Sequence, residues 1–207
     1  MVKNQRRQRS FSGLQTRYFS SLKNQITFKL DSDTERAAAR FLEFDDNVVS
    51  YMAQPGSVKP KPDNPQSRYT FDFGVLLKDG TRELRELKID SEFDRPSVSQ
   101  KLDTVDECLL LRYEQKLVRW RYSEINTGFT VANQKRFYNY RRFDLSPYDL
   151  AKVGSYLRDV STLDELMCAT SRLNAPPSFP FALIAHKKVA FDFQREFAPY
   201  TPVEVLL

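Results

Sequence analysis

Two strand-like runs, residues 69–77 and 81–90, flank Lys78-Asp79-Gly80, and the length of that link decides which side chains meet across the hairpin. A three-residue loop with Gly80 left-handed pairs Leu77 with Thr81 and sets Asp72 opposite Glu86. A two-residue Asp79-Gly80 turn would shift the register by one and press Asp72 toward the apolar Leu87. The longer loop also matches Phe71 with Leu87 and Tyr69 with Ile89, so hydrophobic matching selects it. Alternation then puts Glu86 and Lys88 on one face with Leu84, and Arg85, Leu87 and Ile89 on the other.

Carboxylates about 5 Å apart across two strands repel each other unless a cation lies between them. All-oxygen ligands suit Mg2+, with Mn2+ as a substitute. Such an ion polarises a phosphodiester and activates water for hydrolysis. Lys88, on the same face as Glu86, is placed to orient the attacking water and to offset developing negative charge. Glu35 lies on an inward-facing helix rim from which it reaches the same ion directly or through water. Each residue also has a plainer role: Ser32 and Glu35 have capping-box spacing, and Glu86 with Lys88 fits a solvated strand face.

The flanking pattern predicts a mixed α/β fold. Ser32-Asp33-Thr34-Glu35 opens a helix over 33–44 with Glu35, Ala38, Phe41 and Leu42 on one side. Val48, Val49 and Tyr51 read as a strand, Gln54-Pro55-Gly56 as its turn, and 59–67 as a surface loop. A helix is expected over 100–117 with Leu102, Val105, Leu109 and Tyr113 as its stripe. A strand follows over 117–125, and 129–143 is an aromatic and basic run of helical character. Ser146-Pro147 reads as an N-cap and first helical residue, opening a second unit with helices around Leu150–Leu157 and after Ser161-Thr162. Two short strands, 181–185 and 189–193, are expected around His186-Lys187-Lys188, giving a small winged-helix-like module. The expected division is a basic arm (1–29), a catalytic domain (30–145) and the C-terminal module (146–207).

Charge is unevenly distributed over the 207 residues: 1–29 hold seven Lys or Arg and no acid, so the net +5 of the chain leaves −2 for the rest. Basic residues on phosphates release condensed counterions, which favours a nucleic-acid partner. Arg6, Arg7, Arg9 and Arg17 in the arm are candidate phosphate contacts. So are Arg119, Arg121, Lys135, Arg136, Arg141 and Arg142, which interleave with Tyr113, Trp120, Tyr122, Phe137, Tyr138 and Tyr140. Those aromatics suit base stacking, or equally a core beneath a charged face. Cys108 and Cys168 lack metal or redox spacing and read as buried thiols of a reducing cytosol. No run approaches the roughly 20 apolar residues of a membrane span or a signal-peptide core, so the expected location is cytoplasmic, without a membrane partner. A single histidine, His186, expected at the wing tip, leaves Ser-His-Asp chemistry and histidine-rich metal sites without their parts. There is no glycine-rich phosphate loop for ATP hydrolysis.

Residues 35–51, ERAAARFLEFDDNVVSY, followed by Gln54-Pro55, Tyr69-Thr70-Phe71-Asp72-Phe73 and Glu86-Leu87-Lys88, resemble the N-terminal catalytic domain of the TnsA family. The resemblance spans about 27–126 in both order and spacing. That family supplies the endonuclease subunit of heteromeric bacterial transposases. The resemblance implies a restriction-endonuclease-like mixed sheet flanked by helices, followed by a winged-helix-like domain. It implies Glu35, Asp72 and Glu86 as Mg2+ ligands and Lys88 as the water-orienting residue. It further implies cutting of the 5′ strands of double-stranded DNA at transposon ends in a bacterial cytoplasm. The implied partners are a TnsB-like transposase of the integrase type and a TnsC-like ATPase regulator. Phe71 departs from the proline that often precedes the aspartate in this nuclease class. A non-catalytic DNA-binding or assembly subunit of the same machinery, or a stand-alone restriction or repair nuclease, remain the other readings of these residues.

Overall fold

The computed structural model describes residues 17–61, 64 and 67–207. Two short strands, β1 (Arg17–Ser21) and β2 (Ile26–Leu30), form an antiparallel hairpin. Helix α1 (Asp33–Phe44) begins at Ser32, whose hydroxyl accepts the Glu35 N–H. Strands β3 (Val48–Ala53), β4 (Ser57–Val58), β5 (Tyr69–Thr70), β6 (Phe73–Leu77) and β7 (Arg82–Lys88) follow, then helices α2 (Asp90–Phe93) and α3 (Pro96–Tyr113). Strand β8 (Leu117–Arg121), helices α4 (Tyr122–Ile125) and α5 (Thr130–Phe137) and a 3-10 turn over Tyr138–Arg142 complete the first part. Helices α6 (Leu150–Leu157), α7 (Leu163–Ser171) and α8 (Phe179–Ala185) precede strands β9 (Val189–Phe191) and β10 (Val203–Val205).

The central sheet has the order β3-β6-β7-β8, antiparallel except for the parallel pair β7 and β8. A parallel neighbour requires a long crossover, here supplied by α2 and α3. The sheet is covered on both faces. On one side Ala37, Ala38, Ala39 and Leu42 of α1 meet Phe73, Val75, Leu87 and Trp120. Three consecutive small side chains bring that helix close to the strands. On the other, Leu102, Val105 and Leu109 of α3 close over Phe71, Tyr69 and Leu117, with Leu84 partly buried beside them. Leu84 and Leu87, three apart on β7, thus serve opposite faces.

The larger core continues from Phe19, Leu42 and Phe137 into Leu157, Leu166, Phe179, Leu183 and Phe191. Phe137 makes ring contacts with Phe181, Phe191, Phe193 and Phe197. The Lys187 ammonium bonds the Phe44 carbonyl at 3.0 Å and pairs with Asp46. Helix α8 and strand β9 therefore lie against α5, Lys187 ties them to the end of α1, and α6 and α7 pack with α8 in the same core.

Several expectations need correction. Residues 17–29, expected from their charge to belong to an arm, form the β1–β2 hairpin, because Phe19, Phe28 and Leu30 bury against α1. Arg6, Arg7 and Arg9 lie outside the described residues. The run 69–77 is interrupted: Tyr69 pairs with Val58 in a separate two-stranded sheet and not with Ile89, which is exposed. Phe71 turns into the α3 cluster, away from Leu87. Tyr113 is exposed at the end of α3, and residues 122–125 are helical. Helix α6 is capped by Asp149 rather than Ser146. Residues 181–185, expected as a strand, belong to α8, which carries Pro180 in its first turn. His186 caps α8 and is half-buried, so it does not tip a wing. Cys168 is exposed, since α7 buries Leu163, Leu166 and Thr170 on its other side.

Candidate active site

The hairpin register fixes the site. Phe73 faces Arg85, Gly74 faces Leu84, Val75 faces Glu83 and Leu76 faces Arg82. Gly80 has φ +87°, and Leu77 N–H donates to the Thr81 carbonyl at 2.9 Å. This is the three-residue loop, and extending its register by one step sets Asp72 against Glu86. The Asp72 Oδ2 accepts the Leu87 N–H at 2.8 Å, which ties the carboxylate to β7 beside Glu86.

The chain around Asp72 is held by the Gln54-Pro55 turn. Gln54, with φ +51°, donates its N–H to the Asp72 carbonyl at 2.8 Å, and the Phe71 N–H reaches the Gly56 carbonyl at 3.3 Å. Pro55 lies so close to Gly74 that a β-carbon there would stand 3.0 Å from Pro55 Cβ. Glycine is therefore favoured at 74, since any larger residue would oblige Pro55 to give by a few tenths of an ångström. These contacts break the strand between Thr70 and Phe73 and turn Asp72 toward β7.

Three chemically distinct groups converge. Lys88 Nζ bonds the Glu86 carboxylate, stands 3.9 Å from Asp72 Oδ2 and donates to the Leu87 carbonyl at 3.3 Å. Glu86 is only 3% exposed, and its Oε2 is buried without a hydrogen-bond partner. The Tyr69 hydroxyl is buried nearby and lacks a partner at full hydrogen-bonding geometry; burial, then the Glu86 charge and the approach of the hydroxyl to the Glu86 carboxylate, push its pKa up. Burial, then the Glu86 charge, push the Asp72 carboxyl up to about 7. Burial alone would lower Lys88, but Glu86 and Asp72 outweigh it, so its pKa is raised.

Burial of two adjacent carboxylates and one ammonium leaves excess negative charge and an unpaired acceptor. A hard divalent cation supplies what both observations lack, and the donors are all oxygen. Among the described residues, no three His, Cys, Asp or Glu side chains are gathered closely enough to hold a metal by themselves. Two carboxylates still fit Mg2+, which keeps several waters and completes its shell with substrate phosphate oxygens.

Glu35 is engaged elsewhere at its own helix start. Its carboxylate accepts the Asp31 N–H and the Ser32 hydroxyl, each at 3.0 Å, so it braces the Ser32 cap without closing the full capping box, which would need the Ser32 N–H. Its charge still reaches Asp72 and contributes to raising that group's pKa. The structure thus brings Asp72, Glu86 and Lys88 together and leaves Glu35 at the rim.

The candidate phosphate contacts divide. Arg17 pairs with Asp33 at 2.9 Å. Arg119 pairs with Asp103, and Arg121 bonds Asp94 at 3.2 Å. Arg136 lies over the Phe197 ring at 4.3 Å. Arg141 turns inward, bonding the Glu43 carbonyl and standing 3.2 Å from its carboxylate. Lys135 and Arg142 border a pocket. Of the interleaved aromatics, Trp120, Phe137 and Tyr138 are buried in the core rather than available for stacking.

Sequence reasoning passed over two residues that shape this region. Glu43 is fully buried, accepting from Tyr51 Oη at 2.7 Å, from Ser21 Oγ and from the Lys23 N–H at 3.2 Å. Tyr69 stands near Glu86, whose charge it feels; its place in a strand pattern gave no sign of that. No helix among the described residues is long and apolar enough to cross a membrane. No protein-family model matches the chain, and the curated proteins contain no match to it.

Proposed function

We propose that the protein is a Mg2+-dependent DNA endonuclease with a restriction-endonuclease-like core. In this reading it is the subunit of a heteromeric bacterial transposase that cuts the 5′ strands at transposon ends. The observation that carries the reading is the convergence of Asp72, Glu86 and Lys88 on one sheet face around a buried, unpartnered carboxylate oxygen. Asp72 and Glu86 would hold the ion. When bound, Mg2+ supplies Lewis-acid polarisation of the scissile phosphate and a more acidic water. Lys88 orients that water and neutralises charge that develops on the phosphoryl oxygens. Glu35, at the rim, tunes Asp72 through space.

The transposon setting rests on the likeness of residues 27–126 to the TnsA family. It brings with it a TnsB-like integrase-type transposase, a TnsC-like ATPase and a bacterial cytoplasmic location. The three helices α6 to α8 followed by the β9–β10 pair support a winged-helix-like C-terminal unit. A non-catalytic assembly role is favoured by one observation, the pairing of Lys88 with Glu86, which already offsets one carboxylate.

Strand-resolved mapping of breaks in labelled transposon-end duplex, with Mg2+, transposase and ATPase supplied, tests the reading. The expected result is 5′-strand breaks with the natural protein and none with Lys88→Ala. Transposase-dependent 3′ cuts without any 5′ break in either reaction would leave the assembly role.

A further inference from the structure

A second, differently charged site lies where α1, β1 and the α5 end meet. Arg40 of α1 is only 8% exposed and opens into a cavity of about 280 Å³, together with Lys135, Asn139, Arg142, Tyr18 and Ser20. Lys135 lies in the last turn of α5, and Asn139 and Arg142, three apart, align in the 3-10 turn that follows, so all three line the cavity. Among the described residues no carboxylate pairs with Arg40, Lys135 or Arg142. Asp33, whose charge reaches Arg40, is already bonded to Arg17 and Arg36. Residues 1–16, which lie outside the described part, contain no Asp or Glu and so offer no counter-charge.

An uncompensated buried guanidinium is costly, and burial followed by the Arg36 charge lowers the pKa of Arg40. Three cations with hydroxyl and amide donors around one cavity complete a donor-rich, acceptor-poor surface. The cavity is smaller than the pockets that enclose drug-sized ligands. It suits a tetrahedral anion on an open rim.

We infer that the Arg40, Lys135 and Arg142 cavity binds a phosphoryl group. Arg40 donates from the floor, and Lys135 and Arg142 close on the anion from the rim. A nucleic-acid backbone and free phosphate share this chemistry, and two measurements separate them. Both are made on the full chain in EDTA, so the outcome does not depend on whether the protein cuts DNA.

Binding of a fluorescent duplex is followed by anisotropy over a KCl series for the natural protein, Arg40→Gln and Arg142→Gln. Melting temperature is compared in phosphate and chloride at matched ionic strength. A backbone phosphate predicts a salt slope flatter by about 0.9 in Arg142→Gln and roughly tenfold weaker binding in Arg40→Gln. Free phosphate as the ligand predicts a phosphate-dependent rise in melting temperature that both variants lose, with the salt slope unchanged. If Arg40→Gln does not fold, Arg142→Gln decides alone. An Arg142→Gln protein with natural salt slope and natural response to phosphate overturns the inference.

Discussion

Removing one negative charge from the carboxylate pair should stabilise the metal-free protein. Asp72 is held at about 7 against an ordinary 3.8, chiefly by burial and then by Glu86. Because the folded-state pKa is raised, the folded chain binds the proton more tightly than the unfolded chain does. Stability associated with this group is complete below 3.8 and is lost as pH rises toward 7. Above that, a shift of about three units sets an upper bound of roughly 4 kcal/mol on the penalty. In Asp72→Asn the side chain keeps its shape and an oxygen for the Leu87 N–H, which now lies 2.8 Å from Asp72 Oδ2, and loses the charge. In EDTA at about pH 8, Asp72→Asn should therefore melt higher by at most about 8–16 °C, given roughly 2–4 °C per kcal/mol for a chain of this size. At about pH 5 the gap should narrow. Adding Mg2+ at about ten times its dissociation constant should raise the natural protein by roughly 1.4 kcal/mol and leave the variant unmoved. Scanning calorimetry at the two pH values, with and without Mg2+, reads all of these. An Asp72→Asn protein that melts at or below the natural one at the higher pH in EDTA would refute the charge-repulsion argument.

Substitutions at two further residues separate structural from chemical roles. Glu35→Gln keeps an oxygen for the Asp31 N–H and the Ser32 hydroxyl and should leave thermal stability within about 0.5 kcal/mol, while cutting slows; Glu35→Ala loses those bonds and should cost about 1 kcal/mol as well. Equal cutting by Glu35→Gln and the natural protein, in a strand-break assay, would confine Glu35 to its cap. Glu43→Ala should cost about 3–5 kcal/mol in urea unfolding, because it strips Arg141, Tyr51 and Ser21 of a shared buried partner. A loss under about 1 kcal/mol would contradict that network.

The hairpin was legible in the sequence because its loop length and glycine leave one register that brings the carboxylates together, and that register is the one observed over 73–76 and 82–85. Helix α1 was legible for a similar reason, as Ser32 and Glu35 mark its start and Asp33–Phe44 is its extent. Pairing of Phe71 with Leu87 was not. It assumed an unbroken strand, whereas Gln54 and Gly56 capture the backbone at Asp72 and Phe71. The apolar run 181–185 fits a strand or a buried helix equally well by periodicity. Pro180 in the first turn of α8 was the available signal for a helix. Arg40 carried no signal at all, since a single arginine on an amphipathic helix looks solvated until β1 and the α5 segment close over it. The aromatic run 120–140 looked ready for stacking, yet burial of Trp120, Phe137 and Tyr138 depends on partners far away in sequence, such as Phe41, Phe181 and Phe19.

Whether Asp72 and Glu86 hold a divalent cation is tested most directly by titrating the purified protein with Mn2+ and following free Mn2+ by electron paramagnetic resonance. The account predicts saturable binding by the natural protein, competed by Mg2+ and abolished in both Asp72→Asn and Glu86→Gln. Equal Mn2+ binding by the natural protein and the two variants would contradict it.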